Sequence, residues 1–161
     1  MDDKDFLRKL SYAGLSSRIK RLSDALLYST KDFYHSLGLD IEPNWHLVFL
    51  LLKENENLSL ADIAERLQLS HPAIIKIVKA MQIKGYVQAK KDENDSRKQI
   101  LFLTQKSYDA LPGFERCWTA CVLTMQEIAA DNNDFLDALT KIEEKIKVSN
   151  YKDRTIKNLK A

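Results

Sequence analysis

Residues 59–104 read SLADIAERLQLSHPAIIKIVKAMQIKGYVQAKKDENDSRKQILFLT, and the order of signals in this stretch decides the fold. Ser59 is a good helix cap with Asp62 three positions on, a near capping box. Leu60, Ile63, Ala64 and Leu67 then recur at intervals of three and four, which gives that helix one apolar face. Gln68 and Leu69 make a turn. Ser70 is placed to offer its hydroxyl to the free amides of a second helix. Pro72 fits the first turn, because the N–H it lacks has no intrahelical acceptor there. Ile74, Ile77, Val78 and Met81 repeat the buried spacing; His71, Pro72, Ala73, Ile75, Lys76 and Lys79 lie elsewhere on the helix, and Gly85 stops it. Two runs rich in strand formers follow, 86–90 and 99–103, joined by the polar KDENDSRK. The expected fold is mainly α with a small β-hairpin wing, a winged helix-turn-helix.

A helix that buries one stripe, begins with small residues and carries lysines outside suits the major groove of double-stranded DNA. Small residues allow close approach to base edges, and lysines neutralise phosphates. The spacing assigns base and groove-floor contacts to His71, Pro72, Ala73, Ile75 and Lys76, with Ser70 beside them in the DNA-binding set and Ile75 available to a thymine methyl. Phosphate contacts fall to Lys79, Lys90 and Lys98. Arg97 would enter a minor groove, held extended by Asp95 two residues before it. The competing readings are an ordinary surface helix and a merely solvated turn. Charge favours the first set: 70–98 holds seven Lys or Arg against three acids, +4, so the rest of a chain of net +2 sums to −2.

At this point the residues resemble a known family. The helix pair, the ending GYV, the loop DENDSRK and the exit LFLTQKS look like the winged helix of the multiple-antibiotic-resistance regulator (MarR) family. Asp95 and Arg97 match its wing Asp-x-Arg, and Leu103 and Thr104 match the Leu-Thr that opens its next long helix. The chain departs from the pattern at Ser107, where a glycine is usual. The flanks NWHLVFLLLKEN and LPGFERCW resemble the regulator half of a subgroup fused to an acetyltransferase, without that enzyme. The resemblance implies a transcriptional regulator, more often a repressor, that works as a homodimer.

At 161 residues and 45% hydrophobic content, the chain is expected to form a single domain over 1–161. The DNA-binding lobe would span 40–104, and dimerisation helices 1–38 and 105–161. Leu15, Ile19, Leu22, Leu26 and Phe33 lie at helical spacing before Gly38; Leu111, Phe114, Trp118, Cys121, Met125 and Ile128 follow the lobe, and Phe135, Leu139, Ile142 and Ile146 come after them. These long helices flank a module that already buries its own stripe, so a second copy is the expected cover, against a monomer that folds them over the lobe. A two-fold pair reads a palindromic operator. Pro112 is expected in a first turn or at a kink. No apolar run exceeds the six residues 47–52, and MDDKDF lacks a signal-peptide core, so no membrane partner and a cytoplasmic location are expected.

An input to such a regulator would be a pocket, a thiol or a metal. Trp45, His46 and Phe49 lie within one helical turn, and the resemblance places ligand pockets at that junction. With Trp118 they would wall a site for a small aromatic or amphipathic effector; plain core is the alternative reading. Cys117 and Cys121 share a helix face, and buried, inert thiols are expected in preference to a sensor. The three histidines show no zinc-like spacing, and the four glycines are too scattered to cradle a nucleotide. No metal, cofactor or catalytic residue is assigned. The rival from another class is a winged-helix adaptor or thiol sensor with little DNA binding.

Overall fold

The structure is a computed structural model that describes residues 4–55, 58–92, 98–132 and 134–161. The chain falls into two compact units, Met1–Arg116 and Cys117–Ala161. In the first, α1 (Phe6–Lys9) and a 3₁₀ turn (Ser11–Gly14) lead into α2 (Leu15–Ser36). Gly38, at φ 70, closes α2: its N–H reaches the His35 carbonyl at 3.0 Å, and the Leu39 N–H reaches Tyr34 at 2.9 Å. That is the left-handed helix stop for which glycine carries no Cβ penalty. Then come α3 (Trp45–Glu54), α4 (Leu60–Leu67), α5 (His71–Ile83), β1 (Val87–Lys91), β2 (Gln99–Leu103) and the start of α6 (Gln105–Ala129).

The capping box at α4 forms. The Ser59 amide donates to Asp62 Oδ2 at 2.8 Å, and the Asp62 amide donates to Ser59 Oγ at 3.3 Å. The Ser59 hydroxyl adds a bond to Asp62 Oδ2 at 2.7 Å. That hydroxyl, with the amide, holds the Asp62 carboxyl below the usual carboxylate range. The turn between α4 and α5 is tight because Gln68 takes a left-handed conformation, φ 52, and lets the Leu69 N–H reach the Ala64 carbonyl at 3.1 Å. The Gln68 amide anchors itself by donating to the Glu65 carbonyl at 2.7 Å.

The β1–β2 hairpin is antiparallel, with Val87 opposite Leu103 and Lys91 opposite Gln99. The first strand runs one residue later than the spacing suggests. Tyr86 spends its N–H on the Met81 carbonyl, at 2.9 Å, finishing α5 through Gly85 at φ 74, so pairing starts at Val87. Leu58 adds a single bridge to Leu101, whose N–H meets its carbonyl at 2.8 Å. The helical stripes converge beneath this hairpin. Val48, Phe49, Ile63, Ile74, Ile77, Val78, Met81, Val87, Ile100, Leu101 and Leu103 are all buried. Each large side chain so removed from water contributes on the order of 1.5–3 kcal/mol before chain entropy is counted.

α6 continues through Pro112, which lies neither in its first turn nor at its end. Pro112 is solvent-exposed, so the acceptor its missing N–H leaves free on that face is open to water. In the second unit the remainder of α6 precedes α7 (Phe135–Val148) and α8 (Tyr151–Leu159). Phe135, Leu139, Ile142 and Ile146 share one face of α7 yet are 38–52% exposed, and no described residue of α7 is buried. On α2, Leu15, Ile19 and Leu22 are likewise exposed. Among the described residues no helix is long and apolar enough to cross a membrane.

Candidate nucleic-acid interface

α5 is held from behind by α3, α4 and β1, through the buried stripe Ile74, Ile77, Val78 and Met81. Ser70, His71, Pro72, Lys76 and Lys79 are exposed on it, and Ala73 and Ile75 are half-buried. Ile75 is therefore less outward than its place off the stripe suggests.

Ser70 occupies the N-cap position, but its hydroxyl does not cap. The amides of Ala73 and Ile74 both turn to the Ser70 carbonyl, at 3.0 and 3.2 Å. Pro72 has no N–H to offer, so no donor is left for the side chain. The expected hydroxyl cap is thus corrected, and the Ser70 hydroxyl stays on an exposed helix start.

Lys76 and Lys79 make no ion pair among the described residues, and neither does Lys90 on β1. Lys98 is exposed just ahead of β2, and its carbonyl accepts the Asp92 N–H at 3.1 Å at the base of the hairpin. Asp95 and Arg97 lie outside the described residues. Of the basic residues counted in 70–98, Lys84 is committed elsewhere: it forms an ion pair with Asp40, whose carboxyl it holds below the usual range. Within 70–98, the lysines without an ion pair among the described residues lie on α5 and at the hairpin.

Phe49 has no exposure and sits in an aromatic cluster, 5.5 Å from Tyr86 and 5.6 Å from Phe114, with Trp45 edge-on to Tyr86 at 6.1 Å. His46 is half-buried, and its Nδ1 donates to the Pro43 carbonyl at 2.7 Å. Trp118, in the second unit, is buried. Trp45 also lines an open cavity of about 210 Å³ with Asp40, Ile41, Glu42, Ala80, Ile83 and Lys84, which neither His46 nor Phe49 reaches. Sequence reading missed this cavity. The signal for it was Ile83, an apolar residue off the α5 stripe that is 84% exposed. Cys117 and Cys121 are half-buried rather than buried; burial, with the neighbouring Cys117, pushes the Cys121 thiol up, away from a reactive thiolate.

A helix pair with a tight turn, an exposed second helix and a two-stranded hairpin define a winged helix-turn-helix. Residues 39–98, which take in the helix pair and β1, match the MarR family. Over 93 residues the chain is 31% identical to the HTH-type transcriptional regulator TtmR of Methylorubrum extorquens (strain PA1). That match takes in 54% of this chain and 48% of TtmR, so the chain spans about half the length of the curated relative it matches. The fold is that of MarR-type structures. It is similar to the S. aureus MepR–DNA complex at a TM-score of 0.70 and 18% identity, covering 81% of this chain and 96% of that one. The PcaV transcriptional regulator of Streptomyces coelicolor, in complex with its natural ligand, is similar at 0.66 and 16%, covering 84% and 94%.

Proposed function

We propose that this protein is a DNA-binding transcriptional regulator of the MarR family, acting in the cytoplasm as a homodimeric repressor on a palindromic operator. The carrying observation is α5: a helix held from behind whose outer face presents Ser70, His71, Pro72, Lys76 and Lys79, with both lysines free of ion pairs among the described residues. MepR, of the same fold, is found in complex with DNA, which supports reading this face as the one that enters a major groove. In this reading His71, Pro72, Ala73, Ile75 and Lys76 meet bases and groove floor, with Ser70 beside them at the helix start. Lys79, Lys90 and Lys98 meet phosphates, while Arg97, steadied by Asp95, enters the minor groove.

The exposed apolar faces of α2 and α7 support the dimer. Leaving Phe135, Leu139, Ile142 and Ile146 in water forfeits about 25 cal/mol per Å² of apolar surface, which a second copy recovers. Two copies related by a two-fold axis would then read half-sites about 34 Å apart. Tuning by a small aromatic or amphipathic effector fits the aromatic wall of Trp45 and the open cavity beside it, and PcaV carries a natural ligand.

The test is a binding titration of the full chain against the DNA upstream of its own gene and a pool of genomic fragments, at defined salt, with light scattering alongside. Tight, salt-dependent, sequence-selective binding by a protomer pair is expected. Absence of binding to any fragment would overturn the reading in favour of a protein-interaction adaptor, and a strict monomer at micromolar concentration would remove the dimer.

A further inference from the structure

The last turn of a helix leaves carbonyls without intrahelical donors. In α5 the earlier ones are served locally: Met81 and Gln82 receive the N–H groups of Tyr86 and Gly85, both at 2.9 Å. The three carbonyls just past the end of α5 are served from elsewhere, by residues around the start of α6. Lys106 Nζ donates to the Lys84 carbonyl at 2.7 Å, Thr104 Oγ1 to Gly85 at 2.7 Å, and Ser107 Oγ to Tyr86 at 2.5 Å. The Thr104 amide adds a second bond to Tyr86, at 3.1 Å. The Lys106 ammonium also lies over the Tyr86 ring, 4.3 Å from its centre, and that ring is wedged among Trp45, Phe49 and Phe114.

This is more than packing. Apolar contacts between α5 and its neighbours tolerate small rotations, whereas three directional bonds to successive carbonyls hold the exit of the helix at one angle. A cation at a helix C-terminus also complements the helix dipole. The side chain of Lys84 is turned away to Asp40, leaving its carbonyl to Lys106. Ser107 is fully buried, so its hydroxyl has nowhere else to go, and a glycine at this position could supply no such bond.

We propose that Thr104, Lys106 and Ser107 are positioning residues for the recognition helix: the first turn of α6 sets the angle at which α5 is presented to DNA, with exposed Lys106 the adjustable member. The proposal rests on the DNA-binding reading above, and its test separates the two.

Full-length Lys106→Met and Lys106→Arg are compared with the unaltered protein by DNA titration across salt and by amide hydrogen exchange. Met keeps the length of the stem but removes the donor and the cation; Arg keeps both. For Lys106→Met we expect operator affinity to fall by about fivefold to tenfold, with the slope of log K against log salt unchanged, and the Gly85 and Tyr86 amides to exchange faster. Lys106→Arg should recover most of both. Thr104→Val, which removes a different donor of the same set, should repeat the pattern if Lys106→Met folds poorly. Unchanged exchange at Gly85 and Tyr86 would overturn the proposal. So would unchanged affinity, or a salt slope that drops as for a phosphate contact. If the unaltered protein bound no DNA, the functional reading would fail while the exchange experiment still decided the clamp.

Discussion

Lys79→Ala gives the sharpest reading of which charges face DNA. Lys79 and Lys76 are exposed on α5 without an ion pair among the described residues, whereas Lys84, at the end of the same helix, is paired with Asp40. Removing a free lysine that contacts a phosphate deletes one counterion release of about 0.9 in the log–log salt slope. In a two-fold dimer each operator loses two contacts, so the slope should flatten by about 1.8. Over a fourfold rise in salt, the affinity gap between variant and unaltered protein should therefore narrow by a factor of about 12, similarly for operator and unrelated DNA. Lys84→Met is the matched control: its ammonium is already neutralised, so the slope should hold. Fluorescence anisotropy at four or five salt concentrations measures both. An unchanged slope for Lys79→Ala, or an equal flattening for Lys84→Met, would refute the assignment of α5's outer face to phosphate.

Two further outcomes concern the frame that holds α5. Gln68→Val should destabilise the lobe by about 2 kcal/mol in urea unfolding, since a β-branched residue resists φ 52 and the bond to the Glu65 carbonyl is lost. Gln68→Gly should stay within about 1 kcal/mol, relief of the left-handed strain offsetting the lost bond and the extra freedom of the unfolded chain. Asp62→Asn should cost about 1 kcal/mol near neutral pH. Because the Asp62 carboxyl titrates below its ordinary value of 3.8 in the folded state, its contribution is complete above that value and disappears as pH falls through the lowered one. The gap between Asp62→Asn and the unaltered protein should close on acidification over that window, as followed by circular dichroism; a gap independent of pH would show that the carboxylate adds nothing there.

What could be read from the chain and what could not divides along one physical line. The stripe Ile74, Ile77, Val78 and Met81, the stops at Gly38 and Gly85, and the box of Ser59 with Asp62 all depend on residues no more than seven positions apart. Periodicity and capping rules reach that far. Ser70 shows the limit even at this range: a serine at an N-cap is expected to bond an amide, but Pro72 removes one donor and the Ser70 carbonyl takes the others. Tyr86 shows it again. Its strand-forming side chain suggested a strand residue, yet its N–H was needed to close α5.

Beyond local range the signal changes kind. Thr104 was legible as the opening of a long helix, and Ser107 only as a departure from glycine; that they serve the carbonyls of Gly85 and Tyr86 is a fact about two segments meeting some twenty positions apart. No periodicity encodes it, because a hydroxyl donor carries no apolar pattern. The same holds for the cavity beside Trp45, whose walls come from the α2–α3 connection and the far end of α5. Both features gather at one place, the exit of α5, where Lys84 lines the cavity, gives its carbonyl to the clamp and pairs its side chain with Asp40. A ligand seated in that cavity would touch the residue whose carbonyl α6 holds. On the proposed reading, the exit of α5 is where an effector and the clamp from α6 would meet, through Lys84.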